Sequence, residues 1–199
     1  MRRFAPAFLA LPLMLAACAT PQGPIEVTRF TAPDGVARLG QGTVFVESAP
    51  GTADGLEAAP YKAAVAAELT RLGYRESTRA EAGQIAQVRV ERFAQSAEGR
   101  RSPVSVGVGG STGTYGSGVG LGVGINLGGG ARPTTGTQLA VTLRDARTGG
   151  TNLWEGRAEI ATTDRSPLAE RGRNAQALAR ALFRDFPGRS GETVRIKAE

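Results

Sequence analysis

One thiol and no imidazole are what this chain offers to side-chain chemistry. Its 199 residues include a single cysteine, Cys18, and no histidine. A Ser-His-Asp triad, a Cys-His pair, a thiolate or imidazole metal centre and an internal disulfide are all out of reach. Carboxylates are left for acid–base work, and they are scattered singly: Asp34, Asp54, Asp145, Asp164, Asp185 and the glutamates. None are spaced as a pair, although folding can bring distant ones together. Asp145, just ahead of Arg147-Thr148-Gly149, reads as turn chemistry rather than catalysis. The sequence therefore assigns no catalytic residue, no metal ligand and no cofactor, and it points away from an enzyme.

Cys18 closes an apolar run. Met1-Arg2-Arg3 is positive, Phe4 to Leu15 is a twelve-residue apolar segment broken by Pro6 and Pro12, and Leu15-Ala16-Ala17-Cys18 ends it. A bilayer-spanning helix needs about 20 apolar residues. This run is too short for that and carries the marks of a secretory signal. The four residues resemble the lipobox of bacterial lipoproteins. That resemblance implies a diacylglycerol thioether on Cys18, cleavage before it, and acylation of the new amino group. Each buried CH₂ contributes about 0.8 kcal/mol, so one chain holds only marginally and additional chains hold firmly. The competing reading is a plain secretion signal with an incidental cysteine.

On the lipoprotein reading, residues 1–17 are signal peptide, 18–24 a lipidated tether and 25–199 one domain, with 103–131 a glycine-rich insertion. The tether from Ala19 to Pro24 reaches about 20 Å at most when extended. The membrane, through the lipid anchor, is thus the first partner, with an unknown envelope protein or a second copy of the chain as the other. Ala19 rather than aspartate follows the cysteine. By resemblance to lipoprotein sorting, that favours the outer membrane, with the domain on its periplasmic face.

Formal charge is +6, and loss of Arg2 and Arg3 leaves +4. The basic residues are scattered, whereas a nucleic-acid protein gathers them into a patch or stripe; no nucleic-acid partner is expected.

The elements that must carry these residues follow from periodicity. Ile25–Thr31 reads as a strand with Ile25 and Val27 on one face, and Pro33-Asp34-Gly35 as a turn. Thr43–Glu47 is β-branched and aromatic, hence a strand. Tyr61, Val65, Leu69 and Leu72 form one apolar stripe, which predicts a helix from Pro60 to Leu72 with Gly73 as its left-handed terminator. Asp54-Gly55-Leu56-Glu57 resembles a capping box but reads as a separate turn. Gln84–Phe93, Thr137–Asp145 and Leu153–Ile160 alternate as half-buried strands. The last two are joined by a hairpin turn at Arg147–Gly150. Ser166-Pro167 is expected to open a second helix, whose stripe is Ala175, Leu178, Ala179, Leu182, Phe183 and Phe186. Thr193–Lys197 closes as a strand. The expectation is α+β: a two-layer sandwich, mostly antiparallel sheet with two helices and a glycine-rich hairpin or loop insertion. Trp154 lies on an apolar strand face, where core packing outweighs a ligand platform.

The insertion is compositionally distinct. Between Val104 and Gly130, 12 of 27 residues are glycine, and no charge lies between Arg101 and Arg132. Val119, Leu121, Val123, Ile125 and Leu127 alternate with glycine or polar residues at strand period. No phosphate-binding pattern is present. The segment reads either as a surface loop without a binding role or as a pair of strands whose aliphatic positions form an interaction surface. Arg100-Arg101 beside it is a solvated pair, or a contact to an anionic head group.

Taken in order, several motifs resemble a family. After the lipobox come Glu68-Leu69-x-x-Leu72-Gly73-Tyr74, Gln87-Val88-Arg89-Val90 and the glycine-rich insertion. Leu143-x-Asp145-x-x-Thr148-Gly149, Trp154-x-Gly156 and Phe183-x-x-Phe186-Pro187 follow. This order resembles the bacterial lipoproteins catalogued as domain of unknown function 4136. The resemblance implies a small α+β lipoprotein domain and brings no catalytic residues. The expected role is a membrane-anchored periplasmic lipoprotein that binds or maintains the envelope without catalysis. The alternative is an assembly protein pairing through the glycine-rich hairpin. A carboxylate-dependent envelope enzyme stands behind both.

Overall fold

The computed structural model describes residues 23–52, 55–95, 104–113, 116–125, 134–147 and 150–198. The chain runs β1 (Ile25–Thr31), a 3-10 turn (Pro33–Arg38), β2 (Thr43–Ser48), α1 (Ala59–Arg71), β3 (Arg75–Glu76) and β4 (Gln84–Gln95). It continues through β5 (Val104–Gly113), β6 (Gly116–Ile125), β7 (Thr134–Asp145), β8 (Asn152–Thr163), a second 3-10 turn (Pro167–Ala169), α2 (Arg171–Phe183) and β9 (Thr193–Ile196). Seven strands form one sheet in the order β3-β2-β4-β7-β8-β1-β9. The helices pack on each other and on the sheet, α1 against β2 and β4, α2 against β1 and β8. This is the α+β architecture expected from the alternating strands and two apolar helical stripes.

Alternation decides which face is covered. Ile25, Val27, Ala86, Val88, Leu139, Val141, Leu143, Trp154, Ala158 and Ile160 are buried against Tyr61, Val65, Leu69, Leu178, Leu182 and Phe183 of the helices. Their neighbours in register, including Arg89, Glu91 and Arg157, are exposed on the opposite face. The indole of Trp154 packs as expected, 5.4 Å from the Phe183 ring and 5.2 Å from Phe186. Its Nε1 donates to the Pro187 carbonyl at 2.9 Å. Gly156, two residues along the same face, is forced by this packing: a Cβ there would lie 2.3 Å from the indole and 2.8 Å from Leu182. Gly73, at φ +104°, ends α1 as read from the sequence.

The structure corrects several local expectations. Ser166-Pro167 opens a 3-10 turn, with Ser166 Oγ accepting from the Leu168 N–H at 3.0 Å. α2 starts only at Arg171, capped by Glu170, whose carboxylate accepts from the N–H groups of Gly172 and Arg173 at 2.7 and 2.8 Å. A carboxylate aimed at the positive end of a helix outcompetes a hydroxyl further upstream. Phe186 lies beyond α2, because Arg184 leaves helical geometry and Asp185 adopts φ 55°. The Pro33 turn is a full 3-10 segment. β2 pairs parallel with both β4 and β3, so the sheet is mixed, its other pairings being antiparallel. α1 supplies the crossover that a parallel β2–β4 pair requires. β3, with its residues Arg75 and Glu76 exposed, has no periodic signal to announce it. The capping-box residue Asp54 and the hairpin residues Thr148 and Gly149 lie outside the described residues.

β5 and β6 pair antiparallel only with each other. Their register sets Val104 against Ile125, Val106 against Val123 and Val108 against Leu121, with Gly107 opposite Gly122 and Gly109 opposite Gly120. Aliphatic and glycine pairs therefore alternate from Val106 to Gly109, after which Gly110 faces Val119 and Thr112 faces Ser117.

Candidate functional site

The residues singled out by sequence separate widely. Val119, Leu121, Val123 and Ile125 lie on β6, while Cys18, Leu127, Arg100 and Arg101 fall outside the described residues. The glycine segment leaves the sheet at Gln95 and returns at Thr134, which are register partners at one end of β4 and β7. β1 enters near the same end: Glu26 lies opposite Glu159, and Glu159 opposite Gln138.

Asp145, Glu47 and Glu170 are each held by a neighbouring cation or by backbone N–H groups. Asp145 is paired with Arg38 and accepts from the Arg147 N–H at 2.7 Å. Glu47 binds Arg79 at 2.7 Å and Gln87 at 3.1 Å. The hydrogen bond from Arg79 lowers the Glu47 pKa below the ordinary carboxylate value against the opposing effect of burial. The backbone N–H groups of Gly172 and Arg173 lower that of Glu170. Among the described residues, no group of three Asp or Glu side chains is placed to hold a metal ion.

A cavity of about 620 Å³ lies where β2 and β4 begin and β7 ends, lined by Arg38, Arg75, Arg147, Asp145 and Gln84 among others. Much of its chemistry is turned inward. Gln84 donates to the Arg38 carbonyl at 2.7 Å and accepts from the Tyr74 hydroxyl at 3.3 Å, and that hydroxyl accepts from the Gly40 N–H at 2.9 Å. Burial raises the Tyr74 pKa, so the phenol stays protonated and able to donate.

A groove of about 440 Å³ is built differently, where the C-terminal turns of α1 and α2 meet β1 and β9. Ile25, Ala177 and Ala181 are buried and, with half-buried Ile196, give it an apolar floor. Arg71, Arg180, Arg184 and Lys197 are exposed along its rim. Among the described residues Glu68 is its one carboxylate, and Arg71 already holds it at 2.8 Å. The sequence gives only a faint sign of this site, Arg180 and Arg184 four positions apart, the first on α2 and the second just past its end. The other contributors come from three further elements, and no local pattern joins them.

Behind the groove, α2 is fixed by a buried cation. Arg29, on the inward face of β1 and 5% exposed, donates to the carbonyls of Leu182, Ala181 and Arg184. Burial lowers its pKa, an effect that Asp185 opposes; an arginine remains charged at any ordinary pH.

A mixed sheet with two helices on one face, a buried arginine on β1 and a Trp-Phe-Phe cluster defines a small α+β domain. The chain belongs to the family of the domain of unknown function DUF4136, whose model matches residues 35–188. No curated protein matches it. Among solved structures it is similar to a PDZ domain protein from Parabacteroides distasonis, at TM-score 0.53 and 13% identity over 88% of this chain and 39% of that one. The chain thus spans about two-fifths of that protein's length. It also matches a PelC dodecamer from Paraburkholderia phytofirmans at TM-score 0.45 and 16% identity, covering 83% of this chain and 99% of that one.

Proposed function

We propose that this chain is a lipid-anchored envelope lipoprotein, held through Cys18 at the periplasmic face of the outer membrane, whose domain binds rather than catalyses. The observation that carries the reading is where the chain enters the fold. β1 begins at Ile25, seven residues after Cys18, close to the end of the sheet from which the glycine segment departs. The anchor and the glycine segment then share one end of the domain, and on this reading that end faces lipid. Glu47 and Glu170 are held in the charged form, so neither is poised as a general acid near neutral pH, a task that needs a raised pKa.

Metabolic labelling with an alkyne palmitate analogue tests the anchor. The wild-type chain should carry label and fractionate with outer membrane, and Cys18→Ser should do neither. Equal labelling of Cys18→Ser would remove the basis of this reading.

A second reading, assembly through the glycine-rich hairpin, is favoured by the ten-position register of β5 and β6. Removal of residues 104–130 should then lower the native mass in solution; an unchanged mass eliminates it.

A further inference from the structure

We infer that the groove between α2 and β9 is a docking site for the phosphate-bearing headgroup of an anionic phospholipid in the membrane that carries the anchor. The inference rests on the lipoprotein reading above and names a partner for it. Its first support is composition. Among the described residues, Arg71, Arg180, Arg184 and Lys197 rim the groove against the single carboxylate of Glu68. Glu68 is consumed by Arg71, and Arg180, Arg184 and Lys197 have no carboxylate partner among the described residues. A surplus of three positive charges over an apolar floor matches an anionic head joined to an acyl region.

The second support is position. Ile25 is both part of the groove floor and the point where the tether joins β1. Seven residues of extended chain span about 24 Å at most, so an acylated Cys18 keeps this groove within reach of the lipid surface. Arg29 supplies the third. By pinning the carbonyls of Ala181, Leu182 and Arg184 it fixes the last turn of α2, so Arg180 and Arg184 project from a rigid backbone.

The test uses the mature chain with Cys18→Ser, so that binding does not come from the anchor. Vesicles of phosphatidylethanolamine and phosphatidylglycerol, three parts to one, are compared by co-sedimentation with vesicles of phosphatidylethanolamine and phosphatidylcholine. Binding should require the anionic lipid and weaken as salt is raised. Arg180→Gln with Arg184→Gln should reduce affinity about 25-fold, at about fivefold for each basic residue near an anionic surface. Circular dichroism and melting establish that the variant is folded. A charge-matched control, Arg89→Gln with Arg157→Gln, removes exposed cations from the opposite face of the sheet and should change affinity less than about twofold.

Equal losses in the two double variants, or none in either, would overturn the site. So would binding of inorganic phosphate as strong as vesicle binding with the same arginine dependence, since that assigns the groove to a soluble anion. Palmitate labelling is independent of this assay. Loss of labelling with arginine-dependent vesicle binding intact would count against the lipoprotein reading alone. Normal labelling without such binding would count against the groove alone.

Discussion

Arg29 Nε lies 2.9 Å from the carbonyl oxygen of Leu182, a contact between residues 153 positions apart. The same guanidinium reaches the carbonyls of Ala181 at 3.0 Å and Arg184 at 2.7 Å. The last carbonyls of a helix have no intrahelical partner and carry its negative end. A buried cation on the central part of β1 therefore joins sheet to helix at the point where apolar packing alone would leave α2 frayed.

Arg29→Met is expected to destabilise the domain by about 3 kcal/mol, the magnitude of a charge-assisted hydrogen-bond set lost from a buried site. Arg29→Lys should recover only part, because an ammonium lacks the planar fork that spans several acceptors. Urea unfolding of the three proteins checks both expectations; a midpoint in Arg29→Met equal to wild type contradicts them.

Gly156 lies beneath Trp154 and Leu182, where any Cβ collides with both. Gly156→Ala should cost about 1–3 kcal/mol through overpacking and shift the tryptophan emission, Trp154 being the only indole in the chain. Unchanged emission together with unchanged stability would show that the sheet yields at this point.

Tyr61 ties the two helices by donating to Asn174 Oδ1 at 3.0 Å, while Asn174 Nδ2 donates to the Leu168 carbonyl at 2.9 Å. Tyr61→Phe removes the hydroxyl and should cost about 1–2 kcal/mol. In a double-mutant cycle with Asn174→Ala the two losses should be less than additive. Strict additivity would show that the pair does not act as a unit.

Acid sensitivity follows from Glu47 and Glu170, whose pKa values are lowered by hydrogen bonds from Arg79 and from the α2 N-terminus respectively. A depressed folded-state pKa adds stability that is complete above the unfolded carboxylate value of about 4.3 and is lost as pH falls through the folded value. The melting temperature should therefore fall between about pH 5 and pH 2. Glu47→Gln with Glu170→Gln should start lower at neutral pH and fall less across that range. A parallel acid profile would assign the sensitivity to other carboxylates.

Period-two and period-3.6 patterns in neighbouring residues are enough to locate most of the strands, both helices and much of the core, because burial of a face imposes a rule on consecutive positions. The cluster of Trp154, Phe183 and Phe186 has its members on stripes visible in this way. The helix start at Arg171 was not legible, since Glu170 and Ser166 are both competent caps and no neighbouring residue distinguishes them. The parallel placement of β2 beside β4 was not legible either: the same alternating strand serves both directions.

By itself the sequence determined composition and local order: a single thiol after a short apolar run, no histidine, a charge-free glycine segment, and an α+β succession of faces. Tertiary structure decided what those residues meet. Arg29 occupies an inward position that local pattern reserves for an apolar side chain, and only the approach of α2 converts it from a buried charge into a cap. The groove likewise exists because the ends of α1 and α2 meet β1 and β9. Local energetics act between neighbours along the chain, whereas a binding surface is assembled from segments that become neighbours only through the topology of the sheet.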